Sequence, residues 1–261
     1  MIPKVIHYCW FGRGEKSELI RRCMESWRQK LPDYRIVEWN EDSFDISSTL
    51  WTMQAYKAKK WAFVSDYVRL YALFTQGGIY FDTDVEVLRP LDRFLEHPVF
   101  TGFEAKDNPV TAVMGSEAGN PIIGELLAFY HDRPFVREDG TLDTLPNTYI
   151  ITDCFEKLGI KRNGKEQERR GLHLYPQICF CPNNFSRIWE KPSPRSYTIH
   201  HFDQSWSSEK KSTATLMARV RRWLIGVLRN AFGTEAVFKA KDKTLGAFKR
   251  KIRGQNKKQT G

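Results

Sequence analysis

The chain has 261 residues, of which 41% are hydrophobic and 13% aromatic, so it holds enough apolar material for a folded core and is not a disordered protein. Its formal net charge of +10 is unevenly distributed: residues 209–261 carry 15 Lys/Arg and 3 Asp/Glu, which leaves residues 1–208 at about −2. No run of 18 apolar residues occurs, which excludes a membrane-spanning helix.

The five cysteines and the first residues favour a cytoplasmic protein. The cysteines contain no C-x-x-C pair, so neither a disulfide framework nor a zinc site is expected, and we predict reduced, partly buried thiols. A catalytic cysteine is the weaker alternative. The N-terminal segment has no basic leader and only a short apolar stretch, so it is not expected to be a signal peptide.

The first forty residues alternate between strand and helix patterns. Residues 2–9 read as a short buried strand, after which Trp10 and Gly12 turn out of it. Residues 16–32 place apolar side chains at helical spacing and end at Pro32, and residues 34–40 read as a second strand.

A long helical pattern over residues 56–78 ends at a Gly-Gly pair, as helices often do, and a short apolar strand, 79–81, follows at once. Farther along, the sequence predicts a strand at 99–104 and a helix at 119–132 with Asn120 as its N-cap. A helix near 148–158 and strands at 173–182 and 196–202 complete the series. This alternation predicts an α/β layer fold with a mostly parallel sheet in residues 1–208.

Two carboxylates, Asp82 and Asp84, interrupt the chain just beyond the apolar strand. Strand residues spaced by two point to one face, and α/β sheets bind ligands at the ends of their strands. Two close carboxylates repel unless a cation lies between them, and Mg²⁺ or Mn²⁺ prefers oxygen ligands. The pair therefore predicts a metal site that would hold a diphosphate, although a solvated polar turn would give the same pattern.

A second charged pair, Asp66 and Arg69, lies on the preceding helix in the apolar context WAFVSDYVRLYAL. Residues three apart share a helical face. A surface salt bridge is one explanation. A ligand with hydroxyls and phosphate is the other, because a carboxylate binds hydroxyls and a guanidinium binds phosphate.

Four segments in order, IPKVIHYCWFG, WAFVSDYVRLYAL, GGIYFDTDVEVLRPLD and IHHFDQSW, resemble glycosyltransferase family 32 over about residues 2–208. That family includes bacterial capsule and lipopolysaccharide transferases and fungal mannosyltransferases. The resemblance implies a GT-A fold, a single Rossmann-like domain that binds a nucleotide-sugar and Mn²⁺ or Mg²⁺, and a retaining transfer of the sugar. The segment after residue 104 departs from the commoner family pattern, which leaves the sugar undefined.

The resemblance also implies roles for individual residues. Asp84 would be the main metal ligand, Asp82 would contact metal or ribose, and Asp66 and Arg69 would hold the donor sugar and the diphosphate. Tyr80 would pack beside the donor and Trp10 would stack on the base. His201 is favoured over His200 to complete the metal shell, and Ser205 and Trp206 resemble a loop that closes over the diphosphate. Glu104, Asp107 and Asp143 are weak candidates for a nucleophile, and Asn147 and Thr148 for sugar or acceptor contacts.

The basic tail, residues 209–261, contains an amphipathic helical pattern at 213–233. Its apolar side comprises Leu216, Met217, Val220, Trp223, Leu224, Val227, Leu228 and Phe232. Such a helix is typical of attachment to an anionic membrane surface, although it could instead dock on the body or bind nucleic acid. We do not expect nucleic acid, because the tail matches no recognised nucleic-acid-binding motif.

Together these patterns predict a catalytic domain, 1–208, and a membrane-associating tail, 209–261. The predicted function is metal-dependent, retaining transfer of a hexose or N-acetylhexosamine from a UDP-sugar to a lipid-linked surface glycan, at the inner face of the plasma membrane. The alternatives are a GDP-mannose-dependent mannosyltransferase and, outside enzymes, a membrane- or nucleic-acid-binding protein that acts through its tail.

Overall fold

The structure is a computed structural model that describes residues 1–105, 108–109, 112–182 and 192–203. The strands in chain order are β1 Val5–Cys9, β2 Arg35–Trp39, β3 Gly78–Phe81, β4 Val85–Val87, β5 Val99–Ala105, β6 Asn108–Pro109, β7 Val113–Ser116, β8 Gln167–Arg169, β9 Leu172–Tyr175 and β10 Thr198–His200. The helices are α1 Glu18–Lys30, α2 Leu50–Lys57, α3 Trp61–Gln76, α4 Pro121–Ala128, α5 Asn147–Lys157 and α6 Gln177–Phe180. Short 3₁₀ turns lie at Ile46–Ser48 and Asp92–Phe94.

The main sheet has the strand order β2-β1-β3-β7-β5-β9-β8, and β6 pairs with β5 outside this path. Strands β2, β1 and β3 are mutually parallel, and β5 is parallel to β9. Strand β7 is antiparallel to both β3 and β5, and β8 is antiparallel to β9. The predicted α/β class is confirmed, but the sheet is mixed rather than mostly parallel. The sequence did not predict this, because the short strands β6, β7 and β8 contain too few residues to show a strand pattern.

Side chains of β3 alternate between two hydrophobic clusters, one on each face of the sheet. Tyr80 belongs to the cluster that also contains Val64 and Val68 of α3, whereas Ile79 and Phe81 belong to the cluster that contains Trp27 of α1. This alternation follows from the two-residue period of a strand. It directs Tyr80 toward α3, the helix that carries Asp66 and Arg69.

Helix boundaries follow local capping. Ser17 accepts a hydrogen bond from the backbone N–H of Ile20 at the start of α1. Asn120 accepts one from the backbone N–H of Ile122 at the start of α4, with Pro121 as the first helical residue, and this cap was predicted from the sequence. Gly77 ends α3 with φ of +67°, and a Cβ there would lie 2.8 Å from the backbone nitrogen of Ala118. Glycine is therefore required at this junction by both conformation and space.

Two predicted elements differ from the structure. The helix expected over 56–78 is two helices, because Lys59 adopts a positive φ of 56° and separates α2 from α3. The strand expected over 173–182 stops at Tyr175, since Pro176 follows and initiates the short helix α6. The basic tail lies outside the described residues, and among the described helices none is both long and apolar enough to cross a membrane.

Candidate active site

The carboxyl ends of three neighbouring parallel strands form one edge of the sheet. Cys9 at the end of β1 pairs with Trp39 of β2, and His7 pairs with Tyr80 of β3. The residues that follow these strands, Trp10, Asn40 and Asp82, therefore emerge at a common edge. This is the position at which open α/β sheets bind ligands.

A buried charged network joins α3 to the end of β3. Arg69 Nη2 lies 3.2 Å from Asp66 Oδ1 and also 3.2 Å from Asp82 Oδ1. The guanidinium carbon lies 4.5 Å from the ring centre of Tyr80, whose hydroxyl donates to Asp82 Oδ1 at 3.0 Å. Asp66 and Arg69 are only 8% and 6% exposed. The pair is therefore not the exposed salt bridge that the sequence left as an alternative.

Burial sets the protonation balance of this network. Burial raises the pKa of Asp66 to about 7 and the charge of Asp82 adds to the rise, whereas Arg69 and a hydrogen bond from Asn147 oppose it. The pKa of Arg69 stays above its ordinary value, because the charges of its neighbours outweigh its own desolvation. The network thus holds a permanent cation between two carboxyl groups, and Asp66 changes its charge near neutral pH.

A second cluster surrounds Asp84. Strand β10 pairs antiparallel with β4 and sets His200 opposite Val85, next to Asp84. His200 Nε2 lies 3.3 Å from Asp84 Oδ1, and His200 Nδ1 lies 3.4 Å from Glu104 Oε1. The other carboxylate oxygen of Asp84 accepts the backbone N–H of Asp203 at 2.7 Å.

The histidine of this cluster is charged. Burial alone would lower the pKa of His200, but its contacts with Asp84, Cys181 and Glu104 outweigh burial and hold the pKa well above 6.5. Desolvation would raise the pKa of Asp84, yet His200 and the Asp203 N–H keep it below its usual value. Asp84 is therefore ionised at neutral pH and faces an imidazolium.

A cavity of about 440 Å³ opens at the ends of β1 and β2. Its lining comprises Trp10, Arg13, Gly14, Glu15, Lys16, Arg21, Glu38, Asn40 and Glu41. Trp10 is partly exposed here, its indole N–H donates to the carbonyl of Gly14 at 2.7 Å, and the amine of Lys16 lies 5.2 Å from its ring centre. The cavity combines one aromatic face with several polar groups, which suits a flat heteroaromatic ring.

The donor chemistry of the aspartates fits a hard divalent cation. Asp82 and Asp84 offer carboxylate oxygens, and Asp82 keeps one quarter of its side chain exposed. Within the described part of the chain, however, no three His, Cys, Asp or Glu side chains are arranged to hold a metal ion. Asp82 and Asp84 would thus supply two of the ligands of such a cation.

The two aspartates have different partners, which differs from the sequence argument. A shared direction for Asp82 and Asp84 requires a strand through Asp84, but β3 ends at Phe81 and a turn follows, in which the N–H of Val85 donates to the carbonyl of Asp82. Asp82 consequently contacts Arg69 and Tyr80, whereas Asp84 contacts His200.

The histidine favoured from the sequence is not the one beside Asp84. His201 Nε2 lies 2.8 Å from Glu86 Oε2, and His200, the alternative, contacts Asp84. His201 lies just beyond the end of β10, and the two neighbouring rings have different partners. Ser205 and Trp206 lie outside the described residues, as does Asp107.

Sequence reasoning missed the polar lining of the cavity beyond Trp10, notably Glu38, Asn40 and Glu41. The available signal was the end of β2, because residues after parallel strands meet at one edge. Asp143, a weak nucleophile candidate, is instead bound by Arg133 at 2.5 Å and Arg137 at 3.0 Å, and therefore does not contribute a free carboxylate.

Comparison with known proteins gives a family match for the part of the chain that contains Asp66, Arg69, Asp82 and Asp84. Residues 17–101 match the family described as "Glycosyltransferase sugar-binding region containing DXD motif". The chain is 31% identical over 126 residues to inositol phosphoceramide mannosyltransferase 3 of Schizosaccharomyces pombe, a match that covers 47% of this chain and 35% of that protein. It is 29% identical over 129 residues to mannosyl phosphorylinositol ceramide synthase SUR1 of Saccharomyces cerevisiae, covering 46% and 32%. The matches thus span about a third of the length of these curated relatives.

Solved structures give weaker similarities. PaToxG glycosyltransferase aligns with a TM-score of 0.45 and 18% identity, covering 60% of this chain and 68% of that one. A glycosyltransferase involved in glycosylation of the major capsid of PBCV-1 aligns with a TM-score of 0.41 and 14% identity, covering 68% and 84%.

The described residues therefore form an α/β fold in which residues 17–101 match the sugar-binding DXD region of glycosyltransferases, and Asp82-Thr83-Asp84 is a D-x-D sequence within that range. The curated relatives are fungal mannosyltransferases and synthases. They support a glycosyltransferase without pointing to the bacterial capsule or lipopolysaccharide type that the sequence favoured.

Proposed function

We propose that this protein is a GT-A glycosyltransferase that transfers a hexose from a nucleotide diphosphate donor to a lipid-linked acceptor. The observation that carries the proposal is the buried Asp66–Arg69–Asp82 network, located beside Asp84 inside the segment that matches the glycosyltransferase family. Burying Asp66 and Arg69, with Asp82 partly buried beside them, is costly unless the charges are paired or serve a ligand. A nucleotide-sugar would pair with both signs of charge, because its hydroxyls can donate to the carboxyl groups and its diphosphate is attracted to the guanidinium.

Each residue has a role in this proposal. Asp66 accepts hydrogen bonds from donor sugar hydroxyls, and the positive charge of Arg69 faces the diphosphate. Asp82 and Asp84 would hold Mg²⁺ or Mn²⁺, which would neutralise charge on the departing diphosphate. Trp10 stacks on the base within the cavity at the ends of β1 and β2, which lies on the same sheet edge as Asp82.

The reaction breaks the bond between the anomeric carbon and the diphosphate oxygen, whose electron pair leaves with the diphosphate. The acceptor hydroxyl attacks the anomeric carbon from the same face, and its proton passes to the departing diphosphate oxygen. We propose this retaining route because it requires no enzymatic nucleophile. In support, Glu104 is held by His200, and Asp143 is held by two arginines.

The donor is GDP-mannose in this proposal, with a UDP-hexose as the second candidate. Support comes from the names of the curated relatives, which describe mannosyl transfer to inositol phosphoceramide. An acceptor with a sugar-like head group on a lipid agrees with the expected lipid-linked glycan. The basic tail, +12 over residues 209–261, would then bring the enzyme to an anionic membrane on its cytoplasmic side.

A thermal-shift panel tests the proposal. The full chain is heated with GDP-mannose, UDP-glucose, UDP-galactose or UDP-N-acetylglucosamine, each with and without Mn²⁺, because a ligand that binds only the folded state raises Tm. A Mn²⁺-dependent rise with GDP-mannose alone supports the mannosyltransferase. A rise with one UDP-sugar selects the second candidate, and a flat panel with folded protein contradicts the enzyme.

A further inference from the structure

Asn147, the first residue of α5, contacts the buried carboxyl group of Asp66 on α3. Asn147 Nδ2 donates a hydrogen bond of 2.6 Å to Asp66 Oδ1, although 81 residues separate the two in sequence. Asp66 is buried, and Asn147 is partly exposed. A short hydrogen bond to a buried charged group is among the stronger polar contacts in a protein.

This contact is not explained by capping of α5. Pro146 occupies the N-cap position and no side chain caps this helix, so Asn147 is the first helical residue rather than the cap. Asparagine is favoured at N-caps, where it bonds the helix backbone, and is a modest helix former inside the helix. The side chain of Asn147 is used instead for a tertiary contact.

The segment before Asn147 is fixed independently. Asp143 receives two hydrogen bonds from Arg133, at 3.0 and 2.5 Å, and one from Arg137 at 3.0 Å. The backbone N–H of Val136 donates to the side chain of Gln54 on α2 at 2.8 Å. The arginine contacts brace the connection between α4 and α5 internally and the Val136 contact ties it to α2, so Asn147 is held in place by contacts other than the one with Asp66.

The contacts of Asp66 leave one of its oxygens for a ligand. Both Asn147 Nδ2 and Arg69 Nη2 approach Oδ1, and Oδ2 makes no hydrogen bond to the described residues. A hydrogen bond and an ion pair on the same oxygen restrict rotation of the carboxyl group about its Cβ–Cγ bond. Oδ2 is thereby held in one direction, which matters for an acceptor of hydroxyl hydrogen bonds.

We propose that Asn147 is a positioning residue that orients Asp66 toward the hydroxyls of the donor sugar. The inference rests on the proposed function and adds a residue of α5 to it. Asn147 acts through Asp66 and sets affinity for the sugar part of the donor, whereas the nucleoside diphosphate part is held by other groups.

The test compares three variants of the full chain by calorimetric titration with GDP-mannose, UDP-glucose, GDP and UDP in the presence of Mn²⁺. Asn147→Ala removes the hydrogen bond, and Asn147→Asp keeps the shape but replaces the N–H donor with a charge that repels Asp66. Thr152→Ala is the matched control, because Thr152 bonds the carbonyl of Thr148 within the same helix at 2.6 Å. Thermal unfolding of each variant reports the stability of the fold.

Asn147→Asp separates positioning from helix stability. An acidic residue in the first turn of a helix is favourable, so a purely structural role predicts that Asn147→Asp behaves like the wild type or better. If Asn147 positions Asp66, Asn147→Asp should instead bind the nucleotide-sugar more weakly than Asn147→Ala does.

We expect the affinity of the nucleotide-sugar to fall about tenfold in Asn147→Ala and further in Asn147→Asp, the size expected for a lost hydrogen bond to a charged group. The affinity of the Asn147 variants for GDP and UDP should change by less than about threefold. The same limit should hold for Thr152→Ala with every ligand, because Thr152 is away from the contact. Wild-type donor affinity in Asn147→Asp, or an equal loss for sugar and diphosphate, overturns the inference while leaving the proposed function standing. If the folded wild-type protein binds no nucleotide-sugar, the proposed function itself fails and the inference with it.

Discussion

His200 lies against Asp84, with Nε2 3.3 Å from the carboxylate oxygen Oδ1. The contact results from the antiparallel pairing of β10 with β4, which connects the last described strand to the turn that follows β3. The other nitrogen of His200 faces Glu104, so one buried imidazolium is shared by two carboxylates.

Replacing the two adjacent histidines should have unequal effects. His200→Ala leaves Asp84 and Glu104 buried without their cation, and removing one partner of a buried ion pair costs about 3–5 kcal/mol. We therefore expect a lowered Tm and at least about a hundredfold loss of transfer activity, since activity depends on the same charges. His201→Ala, which removes only the contact with Glu86, should retain activity within about fivefold. The opposite order of activities would restore the assignment of His201.

Asp84→Asn should abolish metal-dependent transfer and should also lower Tm, because it removes the charged partner of the buried His200. The amide keeps the shape of the side chain but carries no charge, so it binds a divalent cation poorly. We expect kcat to fall by about a thousandfold or more and Mn²⁺ to lose its effect on donor binding. Glu86→Gln is the control, because Glu86 lies two residues away and contacts His201 instead. Normal turnover by Asp84→Asn would show that the metal site is elsewhere.

Arg69→Lys should inactivate the enzyme although it keeps a positive charge. The guanidinium bridges Asp66 and Asp82 and lies over Tyr80, and an amine on a flexible chain cannot make these contacts together. We expect kcat/KM for the donor to fall by about a hundredfold and the unfolding free energy to fall by about 3 kcal/mol, measured by urea denaturation. Arg28→Lys, in an exposed pair with Glu25, should change neither. Near-normal kinetics would mean that Arg69 serves only the fold.

Trp10→Ala should raise the donor KM more than it lowers kcat. Trp10 lines the cavity, and the proposed stacking on the base would contribute equally to the ground and transition states. We expect KM to rise about tenfold, which corresponds to a stacking contribution of about 1–3 kcal/mol. Trp10→Phe, which retains an aromatic face, should recover most of this affinity. A decrease in kcat alone would contradict base stacking.

His7 should make the fold sensitive to acid. Burial is the main cause that lowers the pKa of His7 to about 4, while its hydrogen bond to Gly77 raises it only in part. His7 takes up a proton near pH 6.5 in the unfolded state and near pH 4 in the folded state. Its contribution to the unfolding free energy is therefore intact above pH 6.5. It falls as the pH drops toward 4, by about 3 kcal/mol.

Urea denaturation between pH 7.5 and pH 4.5 measures this effect. His7→Gln can still donate to the carbonyl of Gly77 but cannot titrate, so its unfolding free energy should be lower at pH 7.5 and should depend less on pH. Parallel pH profiles for the wild type and His7→Gln would assign the acid sensitivity to another group.

The sequence by itself determined the α/β class, the caps at Asn120 and Gly77, and the set of charged residues at the end of β3. These features depend on local patterns: the period of strands and helices, the conformational freedom of glycine, and charged residues that interrupt apolar segments. The alternation of strand side chains also predicted that only one of His200 and His201 would reach the site, and the structure gives the two side chains different partners.

Only the tertiary structure decided which partner each charged group has. The turn after Phe81 sends Asp82 toward Arg69 and Asp84 toward His200, and the pairing of β10 with β4 selects His200 over His201. The contact between Asn147 and Asp66 and the cavity beside Trp10 likewise join segments that are distant in the chain. Local patterns fix the direction of a side chain relative to its own element, whereas its partner depends on how separate elements pack together.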